Sequence, residues 1–86
     1  MEIVCANAVY SIAGRDKGGL FIVVGLEPGY AYIADGTKHR VEKPKKKNLK
    51  HLNRTNFVSK ELLEHIDAGT LENYMIRKVL AELKPN

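Results

Sequence analysis

The sequence predicts a mainly β chain finished by C-terminal helices: a small, strongly bent barrel of about five short strands, with one or two α-helices packed on its side or base. Three observations lead there. Short runs of β-favouring residues recur through the first two-thirds of the chain, separated by Gly, Pro and Asp-Gly turn signals. The last third switches to helical spacing. The 86 residues (9.6 kDa) include 24 Leu, Ile, Val and Phe, enough for one folded domain with one small core and too few for a multidomain enzyme.

The elements follow in order. Ala8 to Ile12 reads as a first strand, ended by Gly14. Leu20 to Val24 is a continuous apolar run between Gly18-Gly19 and Gly25, the pattern of a strand buried on both faces. Glu27-Pro28-Gly29-Tyr30 places Pro and Gly at the centre of a type II turn, and Tyr30 to Ala34 is the third strand. Asp35-Gly36 signals a hairpin. A fourth strand is expected over roughly His39 to Lys43, stopped by Pro44, which cannot donate to a ladder. Asn48 to Arg54 is expected as a turn followed by a short strand. Ser59 can cap a helix over Lys60 to Ile66, with Glu61 and Glu64 near its positive end and a break at Asp67-Ala68-Gly69. Thr70 is expected to cap a second helix. There Leu71, Met75, Ile76, Val79, Leu80 and Leu83 form one stripe that covers the barrel, and Pro85 ends it. Residues 1–56 are thus assigned to the barrel and 57–86 to a helical extension packed on it, together one compact domain.

The charge is concentrated. The net charge is +4, yet residues 38–54 hold eight Lys and Arg residues against Glu42 alone, leaving six basic and nine acidic residues elsewhere. A solvated lysine run that serves solubility is one reading. A polyanion-binding tract is the other, and the position of this run between apolar segments, not in a tail, favours it.

Residues 8–25, AVYSIAGRDKGGLFIVVG, comprise a strand, a Gly- and charge-rich loop, and an apolar strand. This arrangement resembles the KOW motif of RNA-binding and ribosome-associated proteins. The later KPKKKNLKHLNRT, ending in His51-Leu52-Asn53-Arg54-Thr55, is similar to the basic segment of small archaeal and eukaryotic large-subunit ribosomal proteins that carry a KOW domain. The resemblance spans about residues 1–56 and loosely the helical tail. In compactness the chain is similar to the short bacterial KOW-domain proteins. The resemblance implies an SH3-like barrel and RNA as partner. It also implies that the loop between the first two strands contacts nucleic acid, a role carried here by Gly14, Arg15, Lys17, Gly18 and Gly19.

The same residues are chemically suited to that role. Glycines at 14, 18 and 19 let the backbone turn sharply and approach a phosphate. Arg15 offers planar multi-donor recognition, whereas Lys17 is a point charge. Asp16 would repel phosphate and is expected to shape the loop, bonding nearby N–H groups or orienting Arg15. Lys38, Arg40, Lys43, Lys45, Lys46, Lys47, Lys50 and Arg54 are expected to supply affinity, since phosphate contacts position a protein without reading bases. About six cations engaging a single strand would give a log K against log salt slope near −4. His51 either touches RNA or bonds backbone beside Leu52. Tyr30 or Tyr32 could reach a base, but Tyr10, Tyr30, Tyr32, Phe21, Tyr74 and Phe57 fit core or rim positions. The lack of a stacking platform favours structured RNA over an unpaired sequence.

Other chemistries find no support in the residues. His39, His51 and His65 stand far apart, with no close Cys or carboxylate pair at metal-ligand spacing, so neither metal nor cofactor is expected. Gly14 to Gly19 lacks the Lys-Ser/Thr pair of a P-loop, and no nucleophile–base pair is visible, so no enzymatic activity or small-molecule substrate is expected. The single Cys5, an N-terminus without a basic-then-apolar leader and the absence of an 18-residue apolar run point to a cytoplasmic protein with no membrane partner. The expected function is docking on structured RNA, ribosomal RNA or a ribosomal complex. The alternatives are a protein-interaction module that recruits a transcription or translation factor through the barrel and C-terminal helix, and DNA binding by the same charge.

Overall fold

The computed structural model describes residues 2–84. Five strands form one antiparallel sheet: β1 (Asn7–Ser11), β2 (Leu20–Glu27), β3 (Tyr30–Ala34), β4 (Lys45–Asn48) and β5 (Leu52–Val58), in the order β4-β3-β2-β1-β5. A 3-10 turn, Leu49–His51, carries the chain from β4 at one edge to β5 at the other. Two helices follow, α1 (Lys60–Ala68) and α2 (Asn73–Leu83). The architecture is mainly β with packed helices, an SH3-like barrel whose sheet stays open because β4 and β5 do not pair.

The continuous apolar run of β2 is explained by burial on both faces. With side chains alternating along a strand, Phe21 and Val23 turn inward to join Val9, Ala31, Ile33 and Leu52 in the barrel core. Leu20 and Ile22 turn outward to join Ala6, Ala8 and Ala34 beneath Leu62 of α1 and Ile76 and Leu80 of α2. A bulge between Val23 and Gly25, and another between Asn7 and Val9, bend the strands so that one sheet can serve both cores. Across the second bulge the buried Asn7 side chain donates to the carbonyls of Thr55 (3.1 Å) and Phe57 (2.9 Å) on β5. The stripe of α2 therefore covers the sheet, as its spacing predicts.

Several expectations are corrected. Residues 39–43 form no strand. That stretch is a turn, because the Asp35 carboxylate accepts the N–H groups of Thr37 (3.0 Å) and His39 (2.9 Å) and fixes a tight bend. The fourth strand lies after Pro44, in the lysine run itself. The turn at 48–51 is helical and the strand after it runs on to Val58, longer than expected.

Ser59 caps α1 through a bond from the Leu62 N–H (3.1 Å), and Gly69 ends it in the left-handed region with φ 72°. Thr70 does not cap α2. Its hydroxyl lies 2.7 Å from His65 Nδ1, and α2 starts three residues later with no side-chain cap. The Asn73 side chain is committed elsewhere: it accepts the Val41 N–H (2.9 Å) and donates to Glu42 (2.7 Å). Pro85 lies outside the described residues. Among the described residues no helix is long and apolar enough to cross a membrane.

A cationic face organised by Asp16 as the candidate functional site

The glycine-rich loop and the lysine strand meet at one carboxylate. The loop connects β1 to β2 and is closed by its own backbone: Lys17 N–H donates to Gly14 (3.2 Å), Gly19 N–H to Asp16 (2.9 Å) and Gly18 N–H to Ser11 (2.8 Å). Gly14 and Gly18 have φ of 76° and 88°, a conformation that a side chain resists. Gly19 serves a different purpose from the one expected of it, because a Cβ there would lie 2.8 Å from the Phe21 ring. Its smallness seats the loop on the barrel core.

That closure turns the Asp16 side chain inward, leaving it 4% exposed. His39 Nε2 lies 3.0 Å from Oδ1, Lys45 Nζ 3.3 Å from Oδ2, and Lys47 Nζ 3.8 Å from Oδ2. Oδ2 accepts no well-formed hydrogen bond and is held by the two ammonium charges. Burial alone would raise the Asp16 carboxyl, but the contacts and charges of His39 and Lys45 outweigh it and hold the group below its usual range. Asp16 therefore fixes the loop by a route other than the one expected: its side chain meets His39, Lys45 and Lys47 from distant segments in place of nearby N–H groups or Arg15.

Strand alternation sorts the lysines. Lys45 pairs with Ile33 and Lys47 with Ala31, so both share the face of the barrel interior. Lys47 is 8% exposed and reaches the loop, donating to the Ala13 carbonyl at 2.8 Å. Lys46 points the other way. Its ammonium lies 3.3 Å from Glu27 and 4.5 Å from the centre of the Tyr30 ring, a cation–π distance. Tyr32 donates its hydroxyl to the same Glu27. This bond and the Lys46 charge lower the Glu27 carboxyl, while Glu27 raises the Tyr32 hydroxyl and the Lys46 ammonium.

The bend after Asp35 is anchored from behind. Gly36 is buried against α2, where a Cβ would come within 2.5 Å of the Asn73 carbonyl oxygen, and Arg77 donates to the Gly36 carbonyl at 2.7 Å. His39 sits between Asp16 and the Phe21 ring, 5.9 Å centre to centre. Lys38, His39, Arg40, Lys43 and Lys45 then line one hollow of about 500 Å³ with Glu42 and Pro44. Arg40 is paired with Glu42 at 3.1 Å, both largely exposed. Such exposed pairs contribute little, about 0–1 kcal/mol.

The remaining candidate residues distribute around this centre. Arg15 and Lys17 are exposed on the loop. Ile12 N–H donates to the His51 carbonyl (2.9 Å), which keeps exposed Lys50 and His51 beside the loop's entry. Arg54 is apart: its Nε donates to the Glu2 carbonyl (2.9 Å), and it lines a second hollow with Pro28 and Gly29, whose turn lies at the opposite end of β2 from the loop. Among the described residues no ion pair involves Arg15, Lys17, Lys38, Lys43, Lys50 or Arg54. Tyr10, Tyr30, Phe57 and Tyr74 are partly exposed, Tyr10 pairing with Leu20 at the loop's end and Tyr30 standing at the turn at the other end of β2.

The sequence reading missed the anchors Asp35, Gly36, Asn73 and Arg77. Asp35-Gly36-Thr37 carries a detectable signal, an Asx-type turn in which the carboxylate accepts N–H groups two and four residues on. The part played by Asn73 and Arg77 has no local signal, because their partners lie more than thirty residues away. Among the described residues no three His, Cys, Asp or Glu side chains are grouped to hold a metal ion. Cys5 is half-buried, and burial followed by the nearby Asp67 charge pushes its thiol up, away from the reactive thiolate. Compared with known proteins, the chain matches no protein-family model and no curated protein.

Proposed function

We propose that this protein is a non-catalytic RNA-binding protein of the KOW type. It docks on structured RNA, with ribosomal RNA or a ribosomal complex as target, through the face made by the glycine-rich loop and the lysine strand. The observation that carries the reading is the ion cluster at Asp16, which fastens the loop bearing Arg15 and Lys17 to Lys45 and, through His39, to the bend bearing Lys38 and Lys43. Cations from three separated segments thereby converge, as a phosphate-rich partner requires. Among the described residues no Phe or Tyr lines the hollow of Lys38, Lys43 and Lys45, which favours recognition of shape and backbone there over reading of unpaired bases.

The experiment is filter binding of ribosomal RNA with duplex DNA as competitor. RNA should be preferred, and affinity should fall steeply with salt. If about six cations engage, the log–log slope lies between about −4 and −5. Reversing Lys17 and Lys38 to Glu should abolish binding while leaving the circular dichroism spectrum unchanged. Lys46→Gln, on the far side of β4, should change affinity by less than about twofold. Retained binding in the double reversal rejects the face proposed here.

A protein-interaction role draws on a different feature. Val24, Tyr32, Val41, Pro44, Ile66 and Leu71 line an apolar hollow of about 470 Å³ between the sheet and the end of α1. Capture of a protein partner by that hollow, with no RNA binding by the cationic face, would favour that alternative.

A further inference from the structure

An acidic residue in the middle of a phosphate-seeking face is expected to weaken it, since like charges repel. The surroundings of Asp16 indicate the opposite. Its side chain is 4% exposed, so it points away from any ligand on the surface. Two ammonium groups face it from β4. Lys47 is as buried as Asp16 itself and is spent locally, on Oδ2 and on the Ala13 carbonyl. Lys45 is the surplus cation, its side chain 40% exposed on the wall of a hollow that Lys38, Arg40 and Lys43 line together with Glu42, whose carboxylate is taken up by Arg40 and Asn73. Around Asp16 two lysines outnumber one acid, and the uncancelled charge faces outward.

We propose that the hollow lined by Lys38, Arg40, Lys43 and Lys45 seats one phosphodiester of the RNA backbone, and that Asp16 is the positioning residue that holds Lys45 at its wall. This inference rests on the RNA-binding reading and deepens it. A free lysine side chain loses rotamer freedom when it meets a phosphate, whereas one already braced by a buried carboxylate loses less. The same carboxylate ties the loop to β4. Without it, Lys47 would be a buried ammonium with only a carbonyl for partner, an arrangement that drives the lysine out and releases the loop.

Substitution of Asp16 by Asn separates charge from position, because it makes the protein more positive while removing the brace. Counterion release sets the scale: each phosphate that a lysine no longer neutralises makes the salt slope shallower by about 0.7–0.9, which weakens binding about five- to eightfold at 0.1 M salt. D16N should therefore bind ribosomal RNA at least about fivefold more weakly despite its added positive charge, with a slope shallower by about one. K45Q should show a similar loss. D16N added to K45Q should cost little more, because the two act through the same ammonium.

Equal or tighter binding by D16N, or full additivity with K45Q, overturns the inference while leaving the RNA-binding reading intact. No RNA binding by the unsubstituted protein overturns both. Should D16N fail to fold, the native protein still decides the matter by nitrogen–proton correlation of the lysine ammonium groups. On titration with ribosomal RNA the Lys45 signal should shift while that of Lys46 stays; an unmoved Lys45 signal overturns the inference.

Discussion

Gly36→Ala tests whether α2 positions the cationic bend. Gly36 has φ 81°, and a Cβ there would meet the Asn73 carbonyl oxygen at 2.5 Å, Arg77 Cγ at 3.0 Å and the Asn73 carbonyl carbon at 3.3 Å. Arg77 Cγ belongs to a flexible side chain and can yield. The Asn73 oxygen is backbone in the first turn of α2, so the helix or the bend must move. The left-handed conformation costs alanine about 1–2 kcal/mol, and forcing extra volume into a tight contact costs about 1–3 kcal/mol more. The sum, about 2–5 kcal/mol, is a large part of the roughly 4–13 kcal/mol expected for a domain this size. Gly29→Ala is the control: its φ is also 81°, but no atom lies within 4 Å of the new Cβ. It should lose only the conformational part. Urea unfolding followed by circular dichroism measures both. Equal losses in the two variants would refute the close approach of α2. With G36A the Val41 amide, bonded to the Asn73 side chain, should also shift in nitrogen–proton spectra, and an unmoved Val41 would count against the same reasoning.

Two further outcomes concern the fold. Ser59→Ala removes the α1 cap and should cost about 1 kcal/mol by the same unfolding measurement; no loss would mean that the Leu62 N–H finds an equal partner. The pH dependence has a definite sign. At Asp16 and Asp35 burial pushes the carboxyl up, but His39 and Lys45 at the first, and the N–H groups of Thr37 and His39 at the second, leave both lowered. A carboxylate lowered by folding stabilises the native state above its unfolded pKa of about 3.9, and that contribution is lost as pH falls through the lower folded value. Stability should be insensitive to these two groups above about pH 5 and fall steeply below about pH 4. Asp35→Asn should flatten that acid limb, and an unchanged limb would show that Asp35 titrates alike in both states.

Legibility of the sequence follows the range of the interaction that fixes each feature. The Pro28-Gly29 turn, the Ser59 cap and the Gly69 stop are local, and each lies where the pattern puts it; the β2 run starts at Leu20 as expected but continues through Gly25 to Glu27. The fourth strand lies elsewhere than its pattern suggests because two local signals conflict. His39 to Lys43 looks extended, but Asp35 claims the Thr37 and His39 amides first, and Asn73 claims that of Val41. With those N–H groups engaged no ladder can form there, and pairing with β3 passes to the residues after Pro44. Of the candidate face, the loop and the basic tract are visible as composition. Their junction is not, since Asp16 lies 29 residues from Lys45 and nothing local marks the pair.

That junction changes what a run of lysines can do. Summed as charge, Lys45, Lys46 and Lys47 are equivalent. Placed in a strand, they are not, because a period of two sends the first and third to the barrel side and the second to the opposite side. An acidic residue waits on each side, Asp16 on one and Glu27 on the other. Lys46 is then matched by Glu27, Lys47 is buried at the loop, and Lys45 alone carries charge outward beside the hollow. The cations available to a partner are therefore selected by strand phase and by two carboxylates distant in sequence. Had β4 begun one residue later, Lys46 would take the place beside Asp16 and Lys47 the place beside Glu27. The same composition would then present a different charged surface.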